Sequence, residues 1–470
     1  MDFFKFNKAT NTCHKMITER LNADITRWQK YIQDKLVTPA QHSESITRLK
    51  RLNNNQEHIT PLIMQQAKYI IDKITHAFAS SLITVYDTEL FESLFIIIRP
   101  YLPEYMHGYI SAFITNSPWL DKLRQGFITT LGIIREHILI SHDDDNGVGS
   151  KILLEAHINE SIYNIINCWV ISCVTLLFCN ALFQLPMLEL NLPYLFFIAS
   201  SYSIVDFAID DNTMHPQVIR NILQLFEYEL TGKPQANNNS VDGLSKPMSK
   251  AIKNLVQTYT QHADPNSTKL QAIIYSMTTE KECFKQQRQD ISSSNMTVPK
   301  IITLTINKGL STGYLILAGL SKEIYDNCVN ATNQAQLNIF NQYCILLQLL
   351  DDLSDYTKDS AAKIITSTAL FPGAYPAFAW FVLECVMDFL DAVQESGVFD
   401  KRMNSGFNIL IINYWCYCCN KNIDAMRHDK ELLSVITDNY MFDIEYVLQM
   451  REQKHKKKYE LYKLLIKDLN

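Results

Sequence analysis

The sequence predicts an all-α protein, and three observations lead to that prediction. Glycine is scarce, with 13 in 470 residues, which disfavours sheets with many tight turns and glycine-rich phosphate loops. Apolar residues recur at helical spacing over long stretches, and almost no stretch alternates with the period of a strand. Breaks rich in proline, serine and asparagine, the clearest at 231–247, separate these stretches.

The composition limits the class of protein and its partners. Hydrophobic residues make up 47% and charged residues 20%, an ordinary globular balance. The net charge of −6 argues against nucleic acid as the main partner. The 11 cysteines have no framework spacing, which indicates a reducing compartment. With no secretory signal in the first residues, we expect a cytoplasmic location.

We expect three parts along the chain. Residues 1–140 are predicted to be an N-terminal helical extension, with a thin apolar stripe formed by Trp28, Tyr31, Ile32 and Leu36. Residues 141–440 form the main helical domain. Residues 441–470 form a basic helical tail, interpreted as a solvated helix face, with peripheral membrane contact as the alternative. The apolar stretch 165–185 is interrupted by polar residues and is predicted to be a core helix.

Four carboxylates occupy the end of a long apolar helix predicted around residues 340–359. Asp351, Asp355 and Asp359 are spaced i, i+4, i+8 and therefore share one face, with Asp352 beside them. Like charges at this spacing repel, and the C-terminal end of a helix disfavours negative charge. Because the upstream half is apolar on most sides, these carboxylates need hydrogen-bond partners, cations or a metal. A cation that prefers oxygen ligands, Mg²⁺, is the most economical of these.

A second acidic helix is predicted to end in a similar way. Asp206 and Asp210 lie i, i+4 on one face, with Asp211 adjacent, after an apolar run. Two such helices predict a shared cavity in which several Mg²⁺ ions lie between facing carboxylates. A diphosphate is the polyanion that such ions would bridge.

A lysine lies between the two acidic stretches in an otherwise apolar helix. Lys308, with Ser311 and Thr312, is a reasonable diphosphate contact, although the lysine could also extend to solvent from a helix start. Arg288 belongs to a basic face that is most simply solvated.

The segment from Gln348 to Asp355, Q-L-L-D-D-L-S-D, resembles the second aspartate-rich motif of the trans-isoprenyl diphosphate synthase superfamily. The intervals from Asp210 to Lys308 and from Lys308 to Asp351 are similar to those of that family, and the resemblance covers about residues 150–420. The same carboxylates, read as Asp351, Asp355 and Asp359, also resemble the metal-binding triad of class I terpene cyclases. The resemblance implies an isoprenoid-synthase-type helical bundle around a central cavity, with three Mg²⁺ ions.

The first acidic motif departs from that of a chain-elongating synthase. Its third position is Met214, and Arg220 stands where paired arginines are expected. The spacing of Asp206 and Asp210 instead resembles squalene- and phytoene-type synthases and large terpene synthases. We therefore expect a Mg²⁺-dependent terpene synthase, a cyclase that ionises an allylic prenyl diphosphate. Two alternatives stay open: a chain-elongating or head-to-head synthase, and a catalytically decayed helical scaffold or synthase subunit.

The resemblance implies a role for each residue of the site. The catalytic residues would be Asp206, Asp210, Asp351, Asp355 and Lys308. The metal ligands would be Asp206, Asp210, Asp211, Asp351, Asp352, Asp355 and Asp359. The diphosphate contacts would be Arg220, Arg288, Lys308, Ser311, Thr312, Gln348 and Lys358. Aromatic faces for the carbocation would come from Phe178, Tyr202, Phe207, Tyr314 and Tyr343, although each of them taken singly is more simply interpreted as plain core. The partner is the allylic prenyl diphosphate, and a homodimer is left open.

Overall fold

The computed structural model describes residues 25–37, 42–54, 297–318, 334–399 and 401–439, together with residue 320 and single positions between 172 and 328. Within these residues all regular structure is helical and no strand occurs. The prediction of an all-α protein is therefore confirmed for this part of the chain.

The described helices are labelled in chain order. They are α1 (25–37), α2 (His42–Asn54), α3 (Val298–Leu317), α4 (Gln334–Ala362), α5 (Tyr375–Glu395), α6 (Lys401–Lys421) and α7 (Lys430–Asn439). Short 3₁₀ turns, Ser367–Leu370 and Ile423–Met426, follow α4 and α6.

Helix α4 is the centre of the described bundle. It packs against α3, α5 and α6, and its apolar half is buried on nearly all sides, as the sequence predicts. Phe340, Leu350 and Leu353 are fully buried in this contact. The acidic residues lie toward the C-terminal end of the same helix, so neighbouring helices surround them.

Helix α4 ends just after its last carboxylate in a Schellman-type turn. Lys363 has a φ of 55°, the left-handed conformation that commonly terminates helices. The N–H of Ile364 donates to the carbonyl of Asp359 at 2.9 Å, which satisfies a carbonyl that the helix would leave open. The position of the acidic end is therefore fixed by local hydrogen bonds.

Helices α3 and α4 approach closely enough for backbone contact at two glycines. A Cβ on Gly313 would lie 2.1 Å from the Cys344 Sγ atom, and one on Gly309 would lie 2.8 Å from the Cys344 carbonyl oxygen. A side chain at Gly309 would require the backbone at Cys344 to move, and one at Gly313 would require the Cys344 side chain to move. This close crossing brings Lys308, the neighbour of Gly309, against α4.

The first two helices pack on α5 through apolar and charged contacts. Trp28 and Ile32 of α1 and Leu49 and Leu52 of α2 are buried, so part of the predicted apolar stripe is confirmed as core. Around these contacts, basic side chains face an acidic stripe of α5, and the pairs are Lys35 with Glu384 and Asp388, Arg48 with Asp388 and Asp391, and Arg51 with Asp391. Residues 25–37 and 42–54 of the predicted extension therefore belong to the same packed unit.

Every cysteine that the structure describes is a free, buried thiol: Cys179, Cys283, Cys328, Cys344, Cys385, Cys416, Cys418 and Cys419. Buried thiols of this kind behave as small apolar side chains. Burial is the main cause that raises the pKa of each thiol, as at Cys385 and Cys416.

Among the helices described, none combines the length and apolar character needed to cross a bilayer. The basic tail, 441–470, lies outside the described residues.

Candidate functional site

The acidic face of α4 divides into an accessible pair and a buried pair of carboxylates. Asp351 is exposed and the side chain of Asp355 is 34% accessible, whereas Asp352 and Asp359 are buried. Asp351 and Asp355 lie one helical turn apart on the accessible side. A ligand approaching this face therefore meets these two carboxylates first.

Asp352 is held by hydrogen bonds from neighbouring parts of the chain. Its carboxylate accepts from the Ser367 N–H at 2.9 Å, from the Ser367 hydroxyl, and from Gln348 Nε2 at 2.7 Å. Asp352 thus fixes the start of the 3₁₀ turn that follows α4. Gln348, predicted to contact the substrate, uses its amide here to orient Asp352.

Lys308 lies beside the acidic face although it comes from another helix. It is buried in the middle of α3, so the alternative of a lysine extending to solvent from a helix start is wrong. Its positive charge opposes the upward pKa shifts of Asp351, Asp352 and Asp359. The structure therefore brings together the lysine and the aspartates that the sequence places far apart.

Loss of hydration, and then repulsion between carboxylates, raises the pKa values of Asp351 and Asp359. The pKa of Asp351 is raised to about 6, first by loss of hydration and then by the charge of Asp355. Asp351 is nevertheless exposed and is not sealed in the core. The pKa of Asp359 is raised to about 9 by burial and then by Asp352. Additional positive charge at this face would favour the ionised forms.

Glu280 is a buried member of this region that the sequence reasoning missed. Its Oε1 atom accepts hydrogen bonds from Ser311 at 2.8 Å and Thr312 at 2.6 Å, the two hydroxyls predicted to contact a diphosphate. Among the described residues no donor reaches its buried Oε2 atom. Burial raises the pKa of Glu280, and the charge of Lys308 opposes that shift. No local sequence pattern distinguishes Glu280 from an ordinary helical glutamate.

Helix α6 supplies a second basic group that the sequence reasoning also missed. Lys421 donates to the Ser354 hydroxyl, lies 3.4 Å from Asp355 Oδ1, and sits over the Tyr417 ring at 5.6 Å from its centroid. The Tyr414 and Tyr417 rings stack with their centroids 6.2 Å apart. Only the packing of α6 on α4 brings these residues to the acidic face, and local sequence patterns do not predict that packing.

The aromatic residues predicted to line a cavity are packed with other rings. Tyr343 lies 4.6 Å from Phe178 and 5.8 Å from Phe389 between ring centroids, and its hydroxyl is 3.3 Å from Thr175 Oγ1. Tyr314 meets Phe340 edge-on at 6.0 Å. This packing agrees with the alternative that these residues are core.

Of the remaining predicted residues, the structure describes one, and the others lie outside the described part of the chain. Lys358 is exposed on α4. Outside the described residues lie Tyr202, Asp206, Phe207, Asp210, Asp211, Arg220 and Arg288.

The accessible carboxylates fit one side of a divalent cation site. Asp351 and Asp355 offer hard oxygen ligands on successive turns, which suit Mg²⁺. Within the described residues no three potential ligands converge closely enough to hold an ion by themselves. A complete site would therefore need ligands from elsewhere in the chain, and the predicted first motif carries three aspartates.

Comparison with known protein families, curated proteins and solved structures finds no match for this chain. What can be said of its function therefore rests on the residues themselves.

Proposed function

We propose that the chain is a Mg²⁺-dependent terpene synthase, a cyclase that ionises an allylic prenyl diphosphate to a carbocation and releases diphosphate. In this proposal residues 141–440 form an isoprenoid-synthase-type bundle around a central cavity. The helix with Asp206 and Asp210 then faces α4 across that cavity.

One observation supports this proposal most directly, namely the position of Lys308. A buried lysine from α3 lies beside the carboxylates of α4 and within the electrostatic influence of Glu280. In the part of the chain that the structure describes, the carboxylates here outnumber the lysines that face them. A bound cation would offset this excess of carboxylates and favour their ionised forms, and the lysine adds a donor for an anion bridging that cation.

The proposed mechanism assigns each group a task. Asp351 and Asp355 would hold Mg²⁺ together with Asp206, Asp210 and Asp211, and Asp352 and Asp359 would support them. When bound, Mg²⁺ supplies positive charge that stabilises the departing diphosphate. Lys308 would donate charge-assisted hydrogen bonds to the diphosphate oxygens, aided by Arg220, Arg288 and Lys358. Water must be excluded around the allylic carbocation, and aromatic faces would stabilise its charge.

A second candidate function, a non-catalytic scaffold, is favoured by a specific observation. Ser311, Thr312 and Gln348 all donate to carboxylates of the chain itself. In a decayed synthase, residues that once met the substrate would be expected to stabilise the fold in this way.

The deciding experiment incubates the full chain with MgCl₂ and geranyl, farnesyl or geranylgeranyl diphosphate, with and without isopentenyl diphosphate. Hydrocarbon or alcohol formed from the allylic substrate alone supports the cyclase. A longer diphosphate formed only when both substrates are present identifies an elongase, and no turnover with any of them favours the scaffold.

The matched variants for this experiment are Asp351→Asn and Asp424→Asn. Asp424 is exposed and pairs with Arg427 at 2.6 Å on the 3₁₀ turn after α6, so its replacement should leave activity unchanged. Loss of the Asp351 carboxylate should lower pyrophosphate release by about 100-fold or more. Pyrophosphate release that survives Asp351→Asn would overturn the metal-site proposal.

A further inference from the structure

The side chain of Asn422 contacts α4 in the middle of its acidic segment. Asn422 follows the last residue of α6 and is buried. Its Nδ2 atom donates to the carbonyls of Leu353 and Ser354, both at 2.9 Å. Its Oδ1 atom accepts from the Thr357 N–H at 3.3 Å and from the Thr357 hydroxyl at 2.5 Å. One amide therefore bonds to four atoms of a single helical turn.

These partners are special because of their place in the helix. The carbonyl of residue 353 and the N–H of residue 357 are the two ends of one i→i−4 hydrogen bond in an α-helix. The same carbonyl also accepts from the Tyr375 hydroxyl at 3.2 Å. A side chain inserted into this hydrogen-bond ladder is one of the causes of a local change in helix direction. Asn422 is thus placed to set the course of α4 between Asp351 and Asp359.

A neighbouring residue shows that this contact is not a general property of buried asparagines in this region. Asn420 is also buried, two residues earlier on α6, and neither atom of its amide meets a partner among the described residues. Asn422, by contrast, uses both amide atoms on the acidic turn. The difference indicates a specific role for Asn422.

We infer that Asn422 is a positioning residue for the acidic site: it holds the turn 353–357 so that Asp351 and Asp355 present their carboxylates together to a divalent cation. Asn422 itself touches neither cation nor substrate. The part of this inference that concerns the cation rests on the proposed function. The part that concerns the turn 353–357 rests on hydrogen-bond geometry alone.

The test compares the same substitution at two sites, Asn422→Leu and Asn420→Leu, in the full chain. Titration calorimetry with MgCl₂ and inorganic pyrophosphate measures cation affinity, and hydrogen exchange measures opening at the Thr357 N–H. We expect Asn422→Leu to weaken Mg²⁺ binding by about 10- to 100-fold, the usual effect of removing a partner that orients metal ligands. We also expect it to speed exchange at Thr357, while Asn420→Leu changes neither quantity.

A milder variant, Thr357→Val, covers the case in which Asn422→Leu does not fold. It removes one of the four hydrogen bonds at an exposed position and should weaken Mg²⁺ binding only a few-fold. Equal Mg²⁺ affinity and equal exchange in wild type and Asn422→Leu would overturn the inference. If the wild-type protein binds no Mg²⁺, the proposed function fails, and the exchange comparison alone decides whether Asn422 holds the turn.

Discussion

Replacing Lys308 with methionine removes a buried positive charge while keeping much of the side-chain volume. Asp352, which is buried near Lys308, would then lack this cation, and breaking such a pair costs about 3–5 kcal/mol. We expect urea unfolding at pH 7 to show a loss of this order. The loss should be smaller at pH 5, because the pKa of Asp351 is raised to about 6 and its protonated form needs no cation.

The matched control for Lys308 is Lys300, an exposed lysine in the first turn of the same helix. Lys300→Met should change the free energy of unfolding by no more than about 0.5 kcal/mol. Equal effects of the two substitutions would show that Lys308 has no special electrostatic role. Under the proposed function, Lys308→Met also lowers turnover by about 100-fold.

Single residues also show which parts of the site a sequence can reveal. The i, i+4 spacing of Asp351 and Asp355 fixes a shared face as soon as the segment is helical, so the sequence was sufficient there. Glu280, Lys421 and Asn422 carry no such local pattern. Lys421 and Asn422 reach the acidic face, and Glu280 reaches the hydroxyls of Ser311 and Thr312, only through the packing of distant segments. Spacing along one helix cannot predict that packing.

At the scale of helices, the close crossing of α3 and α4 predicts that a side chain added at either glycine lowers the stability of the fold. Gly313→Ala places a Cβ 2.1 Å from the Cys344 Sγ atom, and Gly309→Ala places one 2.8 Å from the Cys344 carbonyl oxygen. Both variants overpack the crossing and should lose about 1–3 kcal/mol in equilibrium urea unfolding.

The two glycine variants should respond differently to a second substitution. Cys344→Ala removes the Sγ atom and should restore part of the stability lost by Gly313→Ala. It leaves the carbonyl in place and should restore nothing to Gly309→Ala. The recovery is measured as the coupling energy of each double-mutant cycle. Equal coupling energies for the two glycine variants would contradict the crossing geometry.

The docking of α1 and α2 on α5 predicts that the stability of the protein depends on pH through Asp388. Asp388 accepts hydrogen bonds from Tyr31, Lys35 and Arg48. Burial alone would raise the pKa of Asp388, but Lys35 and Arg48 more than offset burial, and the pKa is lowered. A carboxyl with a lowered pKa in the folded state adds stability above its unfolded pKa of about 3.9, and that stability is lost as the pH falls further.

We therefore expect Asp388→Asn to cost about 1–2 kcal/mol between pH 5 and pH 7, because charged hydrogen bonds to a partly buried carboxylate are lost. The difference from wild type should shrink below about pH 4. Urea unfolding at each pH measures it, with Glu395→Gln, an exposed residue of the same helix, as the control. A cost that stays constant down to pH 3 would show that the ionised form of Asp388 contributes nothing.

For the molecule as a whole, ligand binding should appear as thermal stability. A ligand that binds only the folded state at 100 times its dissociation constant adds about 2.7 kcal/mol. We expect MgCl₂ with inorganic pyrophosphate to raise the Tm of the full chain and a chelator to reverse the shift. Asp351→Asn should abolish the shift, whereas Asp424→Asn should retain it. A shift of equal size in both variants would place the binding site elsewhere.

For the overall architecture too, sequence patterns predict some features and not others. Scarce glycine and helical periodicity are properties of the whole chain, so the all-α class was predictable. The position of α1 and α2 was not predictable, because the apolar stripe of α1 shows that the helix docks but not where. The docking surface is set by charge pairing with Glu384, Asp388 and Asp391, which are more than three hundred residues away.

The reactivity of the buried thiols depends on how often the folded protein opens. Alkylating reagents attack the thiolate, and burial raises the pKa of Cys344, Cys416 and Cys419, so the folded form presents little reactive sulfur. Modification must then wait for the helices to separate. Cys344 lies at the crossing of α3 and α4, and its labelling rate would report how often that crossing opens.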